Sequence, residues 1–436
     1  MPNQFKLLTE RRFLPLFVTQ FFGALNDNVL KNAMVILIAF QGAKLTSASP
    51  SLMVNVCAGL FILPFFLFSA TSGQLADKYE KSKLIRLVKV LEIGIMLIAA
   101  VGFWLPSLTW LLVALFLMGM HSTLFGPIKY SILPQHLHEN EMIGGNGLIE
   151  TGTFLAILLG TILGGTLIAM GEYGAHLAAG ACMMISIIGY VASRRIPPAP
   201  APEPELMINW NPFSETWRNL KSIKTNRSVF LSILGISWFW FYGAIFLSQF
   251  PSFAKDNLGG GEGVVTLMLA IFSIGIGIGS LMCEKLSGQK VEPGLVPLGS
   301  IGLTMFALDL WFISPETGAL GLGVGEFFSQ PGSIHILIDL VMIGVFGGFY
   351  CVPLYALMQI RSDASHRSRT IAANNIMNAA FMVVAALLAI TLLSFGVTVP
   401  QIFLITGILN AGIALYIYSV VPEFINRFVA WIFRKS

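Results

Sequence analysis

The chain has 436 residues, 55% of them hydrophobic and only 11% charged, where an ordinary soluble domain carries about 25% charged residues. That composition excludes a soluble globule and a disordered chain, and four scattered cysteines (Cys57, Cys182, Cys283 and Cys351) exclude a disulfide-stapled scaffold. The formal charge of +4 is spread along the chain instead of forming a basic stripe, so nucleic acid is not an expected partner. What remains is an all-α polytopic membrane protein. The cysteines lie in or beside apolar runs without metal-ligand spacing and read as small hydrophobes.

A bilayer core about 30 Å thick takes roughly 20 apolar residues as a helix. Twelve spans are predicted, approximately 13–40, 51–72, 84–105, 110–126, 146–170, 174–193, 229–253, 263–283, 294–313, 335–358, 371–395 and 398–421. The count rests on splitting two long apolar blocks, at 171–174 and at Gly396. The first run is a span and not a cleaved signal peptide, because Asn26, Asp27, Asn28 and Lys31 stand at its centre and no small-residue cleavage site follows. On a helix, Gln20, Gly23, Asp27 and Lys31 share one face, with Asn28 and Asn32 adjoining. Ionisable groups at membrane depth are costly, so this stripe is expected to face a cavity; the alternative is an Asp27–Lys31 pair at i, i+4 that only holds helices together.

The loop after span two reads Gly73-Gln74-Leu75-Ala76-Asp77-Lys78-Tyr79-Glu80-Lys81-Ser82-Lys83. It resembles the signature loop of the major facilitator superfamily: a glycine, an aspartate four residues on, then basic residues. Gly73 lets two helices approach, Asp77 can meet a basic partner or a neighbouring helix N-terminus, and Lys78 and Lys81 flank it. These four are the expected gating residues. Glu80 stands where the superfamily has glycine, which leaves the form of the turn open.

In span three, Lys89 and Glu92 at i, i+3 are expected to pair with each other. Span five places Asn146, Glu150 and Thr153 on one side and continues into Gly160 and Gly164, where a neighbouring helix can pack closely. Glu150 lies near the end of the span, so it either joins the cavity or snorkels to water. The connection 194–228 opens on Arg194 and Arg195, runs through a Pro/Ala stretch, and then reads Trp210, Trp217, Arg218, Lys221, Lys224 and Arg227. Its first part is expected to be an extended tether, its second a basic amphipathic helix on anionic lipid. Span seven carries Trp238, Phe239, Trp240, Phe241, Tyr242 and Phe246, read either as the lining of an acyl-chain passage, with Trp240 and Tyr242 in the cavity, or as an interfacial belt. Asp309 and Asp339 fall near the outer ends of spans nine and ten, with a solvated, gating or ion role open. Asn374 and Asn378, at i, i+4 in span eleven, suit hydrogen bonding into the cavity.

The basic residues accumulate in alternate connections: Lys6, Arg11 and Arg12 before span one; Lys78, Lys81, Lys83 and Arg86 after span two; Arg361, Arg367 and Arg369 before span eleven; and Arg427, Arg434 and Lys435 in the tail. The opposite loops hold only Lys44 and Lys255, so both termini are expected on the cytoplasmic side. Gly126-Pro127-Ile128-Lys129-Tyr130 after span four is echoed by Val352-Pro353-Leu354-Tyr355 in span ten, and Asn146-Gly147-Leu148 by Asn374-Asn375-Ile376. Gly73 and Gly279 match at a shorter offset. Such repeats predict a six-helix bundle over 1–193, a cytoplasmic linker over 194–228, and a second six-helix bundle with a short tail over 229–436, around a central cavity. The six histidines are dispersed, and no acyltransferase, nucleophile-elbow, HExxH or Walker motif occurs, so neither an enzyme nor a metal or cofactor site is expected.

The segments Gln20-Phe21-Phe22-Gly23-Ala24-Leu25-Asn26-Asp27-Asn28, Gly126 to Leu133, Asn146 to Glu150 and Gly347 to Gln359 together resemble the bacterial lysophospholipid transporter family, and the resemblance runs the length of the chain. It implies an inner-membrane carrier that moves lysophosphatidylethanolamine and related lysolipids from the outer to the inner leaflet. There an acyltransferase restores the second chain; some relatives carry that enzyme fused, and here it is expected as a separate partner. A polar cavity for the headgroup would draw on Gln20, Asp27, Asn28, Lys31, Glu150, Asn374 and Asn378. Coupling to Na+ or H+ is open. One departure stands out: enterobacterial members carry an arginine in span seven, and this chain has no basic residue between Val229 and Pro251. The competing expectation is an exporter of amphipathic drugs or siderophores, driven by proton antiport through Asp27 or Glu150.

Overall fold

The computed structural model describes residues 3–45, 50–315 and 321–433. The side chain of Lys44, the tail residues Arg434 and Lys435, and positions 316–320 of the loop after span nine lie outside the described residues.

Apolar runs free of turn residues become helices because their peptide groups have no other partner in lipid. Among the described residues fourteen longer helices carry the architecture, twelve of them such runs: α1 Leu14–Leu45, α2 Pro50–Lys78, α3 Lys81–Trp104, α4 Leu108–Ser131, α5 Met142–Ile168, α6 Gly174–Ser193, α7 Pro212–Ser222, α8 Arg227–Ser252, α9 Glu262–Ser287, α10 Leu295–Ile313, α11 Ser333–Arg361, α12 Arg367–Ser394, α13 Val399–Val420 and α14 Glu423–Ile432. All but α7 and α14 correspond to the twelve expected spans. Eleven of these are long and apolar enough to cross a membrane. The twelfth, α3, carries Lys81, Lys83, Arg86, Lys89 and Glu92 along its first half and stands outside that count. Local chemistry fixes the ends. Glu80 caps α3, accepting from the N–H groups of Ser82 and Lys83 at 2.9 Å each, and its φ of −62° explains why the signature loop needs no glycine there. Asn211 and then Pro212 start α7, and α9 stops at Gly288 in a left-handed conformation with φ of 63°.

Two compact units are present. The first comprises Met1–His138, Leu155–Thr225 and Ser362–Ile376; the second comprises Glu139–Phe154, Asn226–Arg361 and Met377–Ser436. Each unit thus includes the first turns of a long helix from the other half of the sequence: α5 contributes up to Phe154 to the second, and α12 contributes up to Ile376 to the first.

In the first unit α2 packs on α4, α1 on α6, and α3 on both α4 and α6, around Val29, Leu30, Ala33, Met34, Met96 and Met118. In the second, α9 and α10 pack on α11, and α10 on α13. Gly275 and Gly279 of α9 face Gly344 and Gly348 of α11 so closely that a Cβ on Gly275 would lie 2.4 Å from the Val341 carbonyl oxygen. Small residues spaced by four let the two backbones touch, which is how membrane helices associate where apolar side chains gain nothing over lipid. The four cysteines are buried and free, as their apolar surroundings suggest.

Candidate functional site

In the first unit the polar stripe of α1 is met by α3 and α4. Asp27 is half-buried; its Oδ2 accepts from Ser122 Oγ at 2.5 Å, and its Oδ1 is buried with no hydrogen-bond partner. Lys31 does not neutralise it as an ion pair among the described residues: its Nζ lies 5.5 Å from the centroid of the Phe61 ring. Asn28 turns back onto its own helix, donating to the Ala24 carbonyl at 2.8 Å, where Gly160 of α5 packs against it. Gln20 is buried in this unit. One turn away Lys89 and Glu92 do pair, and Glu92 also accepts from Asn26 Nδ2 at 2.7 Å and lies 3.2 Å from His121 Nε2. Gly189 leaves the space that Lys89 fills, since a Cβ there would meet Lys89 Cε at 2.7 Å. Glu92 itself is thus compensated by Lys89, Asn26 and His121, whereas Asn26 Oδ1, His121 Nδ1 and Asp27 Oδ1 are buried without hydrogen-bond partners. Elsewhere on the unit, α2, α3 and α4 form an apolar recess of about 290 Å³, lined by Leu75, Val88, Leu91, Leu124 and Ile128 among others and opening beside the exposed Leu87.

The signature loop is clamped. Asp77 is fully buried; its Oδ1 accepts from the N–H of Ser368 at 3.0 Å, and its Oδ2 from the N–H of Arg369 at 3.3 Å and from Arg369 Nε at 3.0 Å. Asp77 thus caps the N-terminus of α12 and pairs with its first-turn arginine, both of the partner types its position suggested. Gly73 is required for this approach: a Cβ there would lie 2.8 Å from Arg369 Cα. The sequence left two members unassigned. Arg369 counted only as a basic loop residue, and Glu203 sat in the supposed tether, yet Glu203 pairs with Arg369 Nη2.

The tether is in fact stitched to the end of α2 and the start of α3. Glu203 N–H donates to the Asp77 carbonyl at 3.0 Å, Lys81 N–H to the Ala199 carbonyl at 3.0 Å, and Ala199 N–H to Glu80 Oε1 at 2.7 Å. Lys78 Nζ reaches the Leu206 carbonyl at 2.7 Å, and Gln74 exchanges two hydrogen bonds with the Asn209 backbone. Burial pushes the Glu80 carboxyl up, but the bonds from Ala199, Ser82 and Lys83 outweigh it and hold it below the ordinary 4.5. The amphipathic helix expected after the tether is α7, with Phe213 and Trp217 exposed and Glu215 and Asn219 buried. Asn374 of α12 is also buried in this unit, and neither its Nδ2 nor its Oδ1 has a hydrogen-bond partner.

The remaining predicted residues lie in the second unit. Glu150 is buried there. Asn146 and Gln359 form a reciprocal buried amide pair, with bonds of 2.8 and 2.9 Å. Asn378 accepts from Ser237 Oγ at 2.9 Å. The aromatic run of α8 separates by partner. Tyr242 is buried, donates to the Leu303 carbonyl at 2.9 Å and stacks on Phe246, and Trp238 donates to Asn410 at 2.8 Å. Trp240 is partly exposed, donating to Tyr355 Oη at 3.2 Å and stacking near Phe154. Most of that run is packing between helices, and Trp240 is the tryptophan of the run left partly exposed.

The family model of the Major Facilitator Superfamily matches residues 16–341. The chain belongs to that superfamily. Within it, the chain is similar to the lysophospholipid transporter LplT of Serratia proteamaculans, 26% identical over 84% of each chain. The LplT of Yersinia enterocolitica is 26% identical over 83% of this chain and 81% of its own. Among solved structures, the superfamily transporter FucP in the outward conformation aligns with a TM-score of 0.70 at 13% identity, covering 94% of this chain and 99% of its own. A bacterial homologue of ferroportin in the outward-facing state aligns with a TM-score of 0.63 at 14% identity, covering 96% of this chain and all of its own. At such identities the structures carry the superfamily fold alone. That fold comprises twelve helices in two six-helix bundles, and it makes the chain a multi-pass transporter.

Proposed function

We propose that this superfamily member carries lysophospholipids from the outer to the inner leaflet of a bacterial inner membrane by alternating access, with both termini cytoplasmic and an acyltransferase consuming the product. The observation that carries the reading is similarity to relatives named lysophospholipid transporters over 84% of the chain. The Asp27 geometry supports it. Lysophosphatidylethanolamine is a zwitterion with one acyl chain, so its carrier needs an anion, a cation and apolar surface. Asp27 Oδ1 offers an unpartnered acceptor, Lys31 one turn away offers the cation, and the recess lined by Leu87 and Leu91 is apolar surface on the same unit. In the first unit Asn28, Gln20 and Asn374, and in the second Glu150, Asn378 and Trp240, are further proposed substrate contacts, with Tyr242 supporting Trp240 through the packing of α8. The absence of a basic residue between Val229 and Pro251 leaves Lys31 as the proposed phosphate partner. Gly73, Asp77, Lys78 and Lys81, joined by Arg369 and Glu203, form the proposed cytoplasmic lock, which must release before substrate can leave on that side.

The test follows labelled lysophosphatidylethanolamine between leaflets of proteoliposomes under imposed Na+ or H+ gradients. Wild type should move lipid inward, Asp27→Asn should slow it about tenfold or more, and the gradient that accelerates it identifies the coupling ion. No movement by the folded wild-type protein overturns the substrate assignment. Outward movement of an amphipathic drug that collapses with the proton gradient would establish the exporter instead. Full transport by Asp27→Asn at equal expression overturns the role of Asp27 alone.

A further inference from the structure

The seam between α10 and α11 ends in a group of three metal-competent side chains that neither the lock nor the substrate path uses. Gly299 and Gly302 of α10 press on Tyr350 and Phe346 of α11, and Phe306 stacks on Phe346 with ring centroids 5.7 Å apart. Continuing along the same faces, the helical repeat brings Asp309 of α10 opposite His335 and Asp339 of α11. His335 and Asp339 share a face because they are four residues apart. His335 Nε2 lies 2.9 Å from Asp309 Oδ2 and 3.8 Å from Asp339 Oδ1, and one ligand atom from each of the three falls within 4.8 Å of the others.

The second observation is the state of Asp339. Its side chain has no exposed surface, and both of its carboxylate oxygens are buried without a hydrogen-bond partner. A carboxylate buried that way is retained where something else supplies its compensation, and here both oxygens belong to a group whose other two members are half-exposed. Ligands about 2.0–2.2 Å from a tetrahedral cation lie about 3.4 Å from one another, close to the spacings seen. One imidazole with two carboxylates suits zinc or manganese; magnesium and calcium prefer oxygen alone.

We propose that Asp309, His335 and Asp339 bind one divalent transition cation, with water completing the coordination on the exposed side. The ion ties the ends of α10 and α11 together. The sequence left an ion role open for Asp309 and Asp339 but did not bring in His335, which is 26 residues from Asp309 and meets it only through helix packing. The site does not depend on which lipid the protein carries.

The test uses the full chain in nanodiscs, stripped with chelator and dialysed against zinc chloride. The wild type is expected to bind one zinc ion saturably and to unfold at a higher temperature when loaded. Asp339→Asn and His335→Ala are each expected to weaken binding by about tenfold or more. Absence of saturable binding by the wild type overturns the proposal, as does unchanged affinity in both variants. Equal competition by magnesium or calcium overturns the assignment to a transition cation. If a variant fails to fold, the zinc absorption-edge spectrum of the wild type decides: one imidazole among oxygen ligands supports the site, and an all-oxygen or multi-histidine shell overturns it.

Discussion

The two units use the same construction with different chemistry. In the first, the opening turns of α12 are held against α2 by a charged clamp: Asp77 takes two backbone N–H groups and the Arg369 guanidinium, and Glu203 pairs with the other side of that guanidinium. In the second, the opening turns of α5 are held by neutral groups: the Asn146–Gln359 amide pair, and Thr151 Oγ1 donating to the Gly277 carbonyl at 3.2 Å. The sequence repeat anticipated matched backbone positions at Asn146 and Asn374. It paired Gly73 with Gly279, but Gly279 packs on Val345, and Gly277 is the glycine that faces the visiting helix. The difference teaches that the repeat conserves where helices cross and leaves the strength of each crossing free. A buried ion pair is strongly destabilising to break from one side, whereas an amide pair leaves behind only an unsatisfied neutral group.

The comparison is broken most severely at the clamp. Asp77→Ala should strand Arg369, which is almost fully buried, with Glu203 as its remaining carboxylate partner. The expected loss is about 3 kcal/mol of stability, measured by denaturant unfolding in detergent, together with increased labelling of a cysteine placed at Ser368. A loss below that of the amide-pair variant would refute the ranking.

At the amide pair, Asn146→Ala should cost about 2 kcal/mol by removing both reciprocal bonds to the buried Gln359 amide. A double-mutant cycle with Gln359→Ala should return a coupling of about 1 kcal/mol. A coupling near zero would mean that the reciprocal bonds contribute nothing specific.

The smallest effect lies in the linker. Glu80 is held below its ordinary value of 4.5 by the bonds from Ala199, Ser82 and Lys83. A depressed carboxyl contributes stability above its unfolded value and loses it as pH falls through the folded one. The stability difference between wild type and Glu80→Gln, about 1 kcal/mol, should therefore hold steady above pH 4.5 and close as the pH falls below it. A difference that widens in acid would show that the cap is not the origin of the effect.

Span positions, the signature loop, the Lys89–Glu92 pair and the amphipathic helix of the linker were all legible in the sequence. Each depends on hydropathy or on spacing within one or two helical turns, and a helix that must satisfy its own backbone in lipid follows from that local pattern. Asp77 was legible as a residue seeking a helix N-terminus or a cation. That its partners are Ser368 and Arg369, 291 and 292 residues away, was decided by packing at Gly73. Tertiary structure likewise drew Glu203 out of an apparent tether, sent Tyr242 and Trp238 into helix contacts while leaving Trp240 partly exposed, and left Asp27 unpaired with Lys31. It also gathered Asp309, His335 and Asp339 from two helices. Local periodicity states which face a side chain occupies, but a partner is fixed by which other helix reaches that face, and close approach at glycine sets that only once the chain has folded.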